Sequence, residues 1–106
     1  MTENLNSDKV ESITVKVKFF ATFKYITNQN EIEIQLDDGT NIAQLMEILF
    51  KSYKDLEKEI YNDNRIIKDY VQILKNGRNI KYLDNINTKL ENNDVIAMFP
   101  PVAGGK

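Results

Sequence analysis

The chain closes on Val95-Ile96-Ala97-Met98-Phe99-Pro100-Pro101-Val102-Ala103-Gly104-Gly105-Lys106. Val95 to Phe99 is a strand that is apolar on both faces, so it needs cover on both sides. Pro100 ends it, because proline has no N–H to give a ladder. The backbone then runs through a tail of almost no side chain to Gly104-Gly105. Only 4 glycines occur in the chain, and these two are adjacent. Glycine permits close backbone approach and unusual φ/ψ, so such a terminus can be threaded into a narrow active site.

Upstream of the closing strand, Ile13-Thr14-Val15-Lys16-Val17-Lys18-Phe19 alternates strictly. Ile13, Val15, Val17 and Phe19 therefore share one face of a strand. Phe20 breaks the alternation, and Ala21 to Ile26 reads as a short helical turn. Glu31-Ile32-Glu33-Ile34-Gln35-Leu36 is a second alternating strand, and the short connection lets the two pair antiparallel. After Asp37-Asp38-Gly39, Thr40 is placed to cap a helix. Ile42, Leu45, Met46, Leu49, Phe50 and Tyr53 follow at helical spacing as one apolar stripe, with Glu47 and Lys51 as an outer pair. Leu56, Ile60 and Tyr61 extend this helix or form a shorter second one.

Tyr70 to Lys75 reads as a third strand, closed by the tight-turn signal Asn76-Gly77. Asn79 to Leu83 reads as a short fourth strand, with turns at Asn85 to Lys89 and Asn92 to Asp94. The order is ββαβ(β)β, the β-grasp or ubiquitin-like arrangement. It is an α+β fold with a mixed four- to five-stranded sheet packed on one main helix. In that arrangement the last strand lies centrally beside the first, and part of the outer sheet face becomes a partner surface. The expected organisation is a disordered extension over 1–12, the domain over 13–101 and a flexible tail over 102–106.

Composition bounds the chemistry. At 106 residues with 42% hydrophobic content, the chain makes one domain with a modest core. It has no cysteine and no histidine, which removes disulfides, thiolate nucleophiles, Cys/His metal sites and histidine-based triads. A net charge of −2 with mixed signs gives no electrostatic footprint for nucleic acid. No run is apolar enough for a membrane span and no signal peptide opens the chain. The default is a cytoplasmic protein.

Each candidate residue has two readings. The α-carboxylate of Gly105, at the tip of a flexible arm, can be adenylated and converted to an acyl thioester or thiocarboxylate, with Gly104 letting it enter partner sites. Equally, a small terminus can simply fray, since ordering each residue costs roughly 1–2 kcal/mol. Phe99 and Phe20 serve either as interface anchors or as core. If Ile96 and Met98 face the helix, Phe99 lies on the outer face. Pro100-Pro101 stiffens the base of the tail, terminates the strand, or does both. Glu31, Glu33, Asp37, Asp38, Glu91 and Asp94 show no metal-binding or acid–base spacing and read as solvated surface. Lys16, Lys18 and Lys24 read as a solvated basic strip, and no metal site is expected.

Two blocks, Val17-Lys18-Phe19-Phe20-Ala21 and Asn93 to Gly105 with its Phe-Pro-Pro-Val-Ala-Gly-Gly ending, make the chain resemble the molybdopterin synthase small subunit, a ubiquitin-like sulfur carrier. The resemblance spans roughly residues 13–105. It implies that the chain binds no cofactor and that a partner related to ubiquitin-activating enzymes uses ATP to adenylate Gly105. A sulfur source would then form the thiocarboxylate. The large synthase subunit would take up the tail, with Phe99, Pro100, Pro101, Val102, Ala103 and Phe20 contacting partners, and sulfur would pass to precursor Z to build the molybdopterin dithiolene.

Lys106 departs from the family pattern, whose members usually end at the second glycine, and while it remains Gly105 carries a peptide bond. Three explanations stand: a native extension clipped by a processing protease, a residue foreign to the gene, or loss of carrier function. Two further roles stay open. One is a ubiquitin-like modifier joined through Gly105 to lysines of other proteins. The other is a β-grasp interaction module with an inert tail.

Overall fold

The computed structural model describes residues 11–101. Its elements are β1 (Ser12–Phe19), α1 (Thr22–Thr27), β2 (Glu31–Asp37), α2 (Ile42–Ser52), α3 (Lys54–Ile60), β3 (Gln72–Lys75), β4 (Arg78–Asn79) and β5 (Val95–Phe99). The sheet order is β2-β1-β5-β3-β4. β1 pairs antiparallel with β2, while β5 runs parallel to β1 and antiparallel to β3. The β-grasp expectation therefore holds, with five strands, and the doubly apolar β5 occupies the central position.

Alternation along β1 sends Ile13, Val15, Val17 and Phe19 into the core and leaves Thr14, Lys16 and Lys18 half-buried on the outer face. In β5, Ile96 and Met98 face the helix and are fully buried, while Val95, Ala97 and Phe99 are half-buried on the other side. The α2 stripe of Ile42, Leu45, Met46, Leu49 and Phe50 is buried. Each such side chain contributes about 1.5–3 kcal/mol when removed from water, which holds α2 across the sheet.

Several local readings are corrected. The cap of α2 is Asn41, not Thr40. Asn41 Oδ1 accepts from the Gln44 N–H and Gln44 Oε1 accepts from the Asn41 N–H, both at 2.9 Å. Thr40 instead donates its hydroxyl to the Asp37 carbonyl at 2.7 Å, closing the turn after β2. Among the described residues Glu47 forms no ion pair with Lys51; it accepts instead from Arg65, whose guanidinium also binds Glu57 and lies 5.1 Å above the Tyr61 ring. α2 stops at Tyr53, where φ is −129° and ψ is 79°, and that ring packs edge-on against Phe19 at 6.0 Å. The polar stretch after it therefore contains a separate short helix, α3.

The third strand begins at Gln72 rather than Tyr70, because Tyr70 takes a left-handed φ of 72°. Asn76 and Gly77 both have positive φ, 50° and 87°, the pair a type I′ hairpin requires. The fourth strand is only Arg78–Asn79. Asn79 Oδ1 accepts from the Lys81 N–H at 2.9 Å and turns the chain into a 3₁₀ segment, Ile80–Tyr82. Ile80 is buried by that turn and Tyr82 is left exposed.

Candidate functional site

The candidate site is the place where the chain leaves β5. Parallel pairing of β1 with β5 sets Phe19 beside Met98, and the Phe20 N–H continues the ladder by donating to the Met98 carbonyl at 3.2 Å. Phe20 and Phe99 consequently emerge on the same outer face. Their rings lie parallel, 7° apart, with centroids separated by 4.3 Å. Phe20 is 38% exposed, Phe99 and Pro100 are half-buried, and Pro101 is exposed. The two phenylalanines, named separately from the sequence, form one aromatic platform under Pro100-Pro101. Val102, Ala103, Gly104 and Gly105 lie outside the described residues.

Around this platform the sheet supplies further groups. Ala97 pairs with Lys18 on one side and Leu74 on the other, so the outer face runs from apolar Leu74 and Ala97 to a lysine. Beside Phe20 a shallow hollow of about 300 Å³ is lined by Lys18, Ala21, Lys24, Asn30 and Glu31 among others. Ala21 turns the chain there with φ 53°. On the opposite flank Gln72 pairs with Phe99, and Tyr70, two residues earlier, is 77% exposed. In the sequence Leu74 and Tyr70 read as strand residues with nothing local to mark them for the site. The β3–β5 register brings Leu74 to it, beside Ala97.

The other end of β5 is held by a buried carboxylate. Asp94, read from the sequence as solvated surface, is 4% exposed. Its Oδ1 accepts from Asn76 Nδ2 at 2.8 Å, and its Oδ2 accepts from the Glu91 N–H at 2.7 Å and lies 3.5 Å from Lys75 Nζ. Asn76 also receives the Val95 N–H on its own Oδ1 at 2.8 Å. The tight β3–β4 turn thus grips the first residue of β5. With its entry clamped and its centre buried on the helix side, β5 presents Phe99 and the proline pair in a fixed direction. The chemistry such a platform can do is positional: it offers donors, apolar surface and a tail base, with the reacting group elsewhere.

Comparison with known proteins agrees with this architecture. Residues 17–105 match the ThiS family. Small archaeal modifier protein 3 of Haloferax volcanii is 35% identical over 91 residues, 86% of this chain and 98% of that protein. An Archaeoglobus fulgidus protein provisionally named a sulfur carrier is 32% identical over 94 residues, 88% of this chain and 100% of its own. A Pyrococcus furiosus structure, provisionally titled molybdopterin converting factor subunit 1, superimposes with a TM-score of 0.68 at 31% identity. It covers 85% of this chain and 99% of that one. The chain belongs to the ThiS family of ubiquitin-like sulfur carriers and modifiers.

Proposed function

We propose that this chain is a sulfur carrier for molybdopterin formation, with the Gly105 carboxyl as the group that is loaded and unloaded. The observation that carries the reading is the Phe20–Phe99 platform at the base of Pro100-Pro101. In this reading the end of a central strand is presented to a partner, and the partner's groups do the chemistry. In this reading Lys106 is first hydrolysed from Gly105. A partner of the ubiquitin-activating type then joins the carboxylate to the α-phosphate of ATP, releasing pyrophosphate. Sulfide-level sulfur from a donor attacks the acyl carbon, AMP leaves, a proton goes to solvent and a thiocarboxylate remains. The large subunit of molybdopterin synthase takes up the tail through Phe20, Phe99, Pro100, Pro101, Val102 and Ala103. Sulfur passes to the pterin precursor, and the glycyl carboxylate is regenerated with an oxygen from water.

A second reading has its own support in the 35% identity to an archaeal modifier. Here the activated Gly105 is attacked by the ε-amine of a lysine on another protein, forming an isopeptide bond and expelling the activating group. The two readings share activation and part at the acceptor.

The test is the intact mass of the protein purified from its own cells, with a search for isopeptide-linked species. A form ending at Gly105, part of it carrying sulfur in place of one carboxyl oxygen, supports the carrier. Gly105 linked to lysines of other proteins, without the thiocarboxylate, supports the modifier. Retention of Lys106 on every molecule defeats both and leaves the interaction module.

A further inference from the structure

We infer that the free edge of β2 is a docking strand for an extended segment of another protein that alternates Lys or Arg with an aliphatic residue. Among the described residues β2 ends the sheet, with β1 on one side only. Its hydrogen-bonding parity follows from the two ends of the pair. The Phe19 N–H donates to the Asn30 carbonyl at 2.8 Å, and the Asp38 N–H donates to the Glu11 carbonyl at 2.7 Å. With Val17 opposite Ile32, Val15 opposite Ile34 and Ile13 opposite Leu36, the even-numbered residues of β2 turn their backbone groups toward β1. Glu31, Glu33 and Gln35 therefore turn theirs outward.

Apart from its acidic side chains, this edge lacks the usual safeguards. The segment Glu31–Asp37 contains no proline and no lysine, and its register against β1 is unbroken from Ser12↔Asp37 to Lys18↔Glu31, with no bulge. Such an edge is a template for strand addition. Ile32 and Ile34 are only half-buried, so apolar residues of an added strand have something to cover.

Charge selects the occupant. The side chains beside the outward backbone groups are Glu31, Glu33, Gln35 and Asp37, all exposed. A second copy pairing antiparallel about Glu33 would set Glu33 against Glu33. Moving that register by two residues either way sets Glu31 against Glu33 or against Asp37. Like charges directly opposite one another destabilise a pair, and opposite charges stabilise it. Lys16 reaches Glu31 only from the inboard strand, at 3.6 Å, which leaves the outer rim acidic. A second copy is thus disfavoured and a basic, alternating strand is favoured. This surface lies across β1 from the β5 exit, and the inference holds whichever fate Gly105 has.

The test titrates the full-length protein, labelled for NMR, with the capped peptide Lys-Val-Lys-Ile-Lys and, separately, Glu-Val-Glu-Ile-Glu. Amide shifts confined to Glu31–Asp37 and its β1 neighbours, for the basic peptide only and weakening at high salt, are expected. Glu33→Pro removes an outward N–H without touching the β1 ladder and should abolish binding while the remaining spectrum persists. The pair Glu31→Lys and Glu33→Lys should weaken the basic peptide at least tenfold and admit the acidic one. The inference is overturned by equal binding of both peptides, by shifts centred on Phe20 and Phe99, by no shift at millimolar peptide, or by self-association through β2.

Discussion

Phe20 stacks on Phe99 with ring centroids 4.3 Å apart, joining the residue after the first strand to the last residue of the final one. The contact is half on the surface, so it serves stability only modestly. Aromatic pairs contribute about 0.5–1.5 kcal/mol beyond area burial. Phe99→Ala should cost about 1 kcal/mol or slightly more in denaturant unfolding. If the platform seats partners, the same change should lower kcat/KM for ATP-dependent activation by tenfold or more, as loss of an interface anchor does. Phe20→Leu should recover stability more than activation.

Removing the carboxylate of Asp94 should affect the fold rather than the surface. Asp94→Ala leaves the Glu91 N–H, the Asn76 amide and the Lys75 ammonium without their shared acceptor. An unsatisfied buried donor costs about 1–3 kcal/mol, so the unfolding midpoint in urea should fall by a matching amount. Hydrogen exchange should quicken at Val95 first, because its N–H depends on Asn76.

Asn41→Ala tests the helix cap directly. The Gln44 N–H loses its Oδ1 acceptor, while the backbone N–H of position 41 can still donate to Gln44 Oε1, and loss of such a side-chain cap costs about 1 kcal/mol. Thr40→Ala should act differently, loosening the turn at Asp37 without fraying α2. Amide exchange over the first turn of α2 separates the two outcomes.

Much of this was legible in local patterns. Two-residue alternation placed β1 and β2, the stripe from Ile42 to Tyr53 placed α2, and Asn76-Gly77 placed the hairpin. What escaped depended on distant partners or on one side chain bonding its own backbone. Asn79 bonding to Lys81 shortened the fourth strand, and the left-handed turn at Tyr70 shortened the third. Asp94 looked like surface because nothing near it in sequence announces Asn76 and Lys75. Phe20 and Phe99 could each be named as candidates, but their stack follows from the β1–β5 register, which no short window contains.

Tyr61 gives a pH signature. Burial, and then the nearby Glu47, raise its phenol above the ordinary value of 10.0, with Arg65 acting in the opposite direction. The folded state thus holds this proton more tightly than the unfolded state. Its contribution is complete below pH 10 and is lost as pH climbs through the raised folded value. Tyr61→Phe keeps the edge-on packing against Phe50 at 5.3 Å and should flatten this alkaline loss. Unfolding curves for both proteins, compared from pH 8 to 11, would read it.

The parallel pairing of β1 with β5 also sets the timetable of biosynthesis. A ribosome makes β1 early, yet the strand that completes the sheet beside it leaves the exit tunnel after every other described element. Val17 and Phe19 can meet Ile32 and Asn30 on the β2 side first but must wait for Ile96 and Met98. Contacts of such long sequence separation slow folding, and a nascent chain halted before Val95 would hold an open sheet. Synthesis and folding are therefore coupled in a fixed order: the residues that follow Phe99 are already joined to the chain before β5 can reach its place in the sheet.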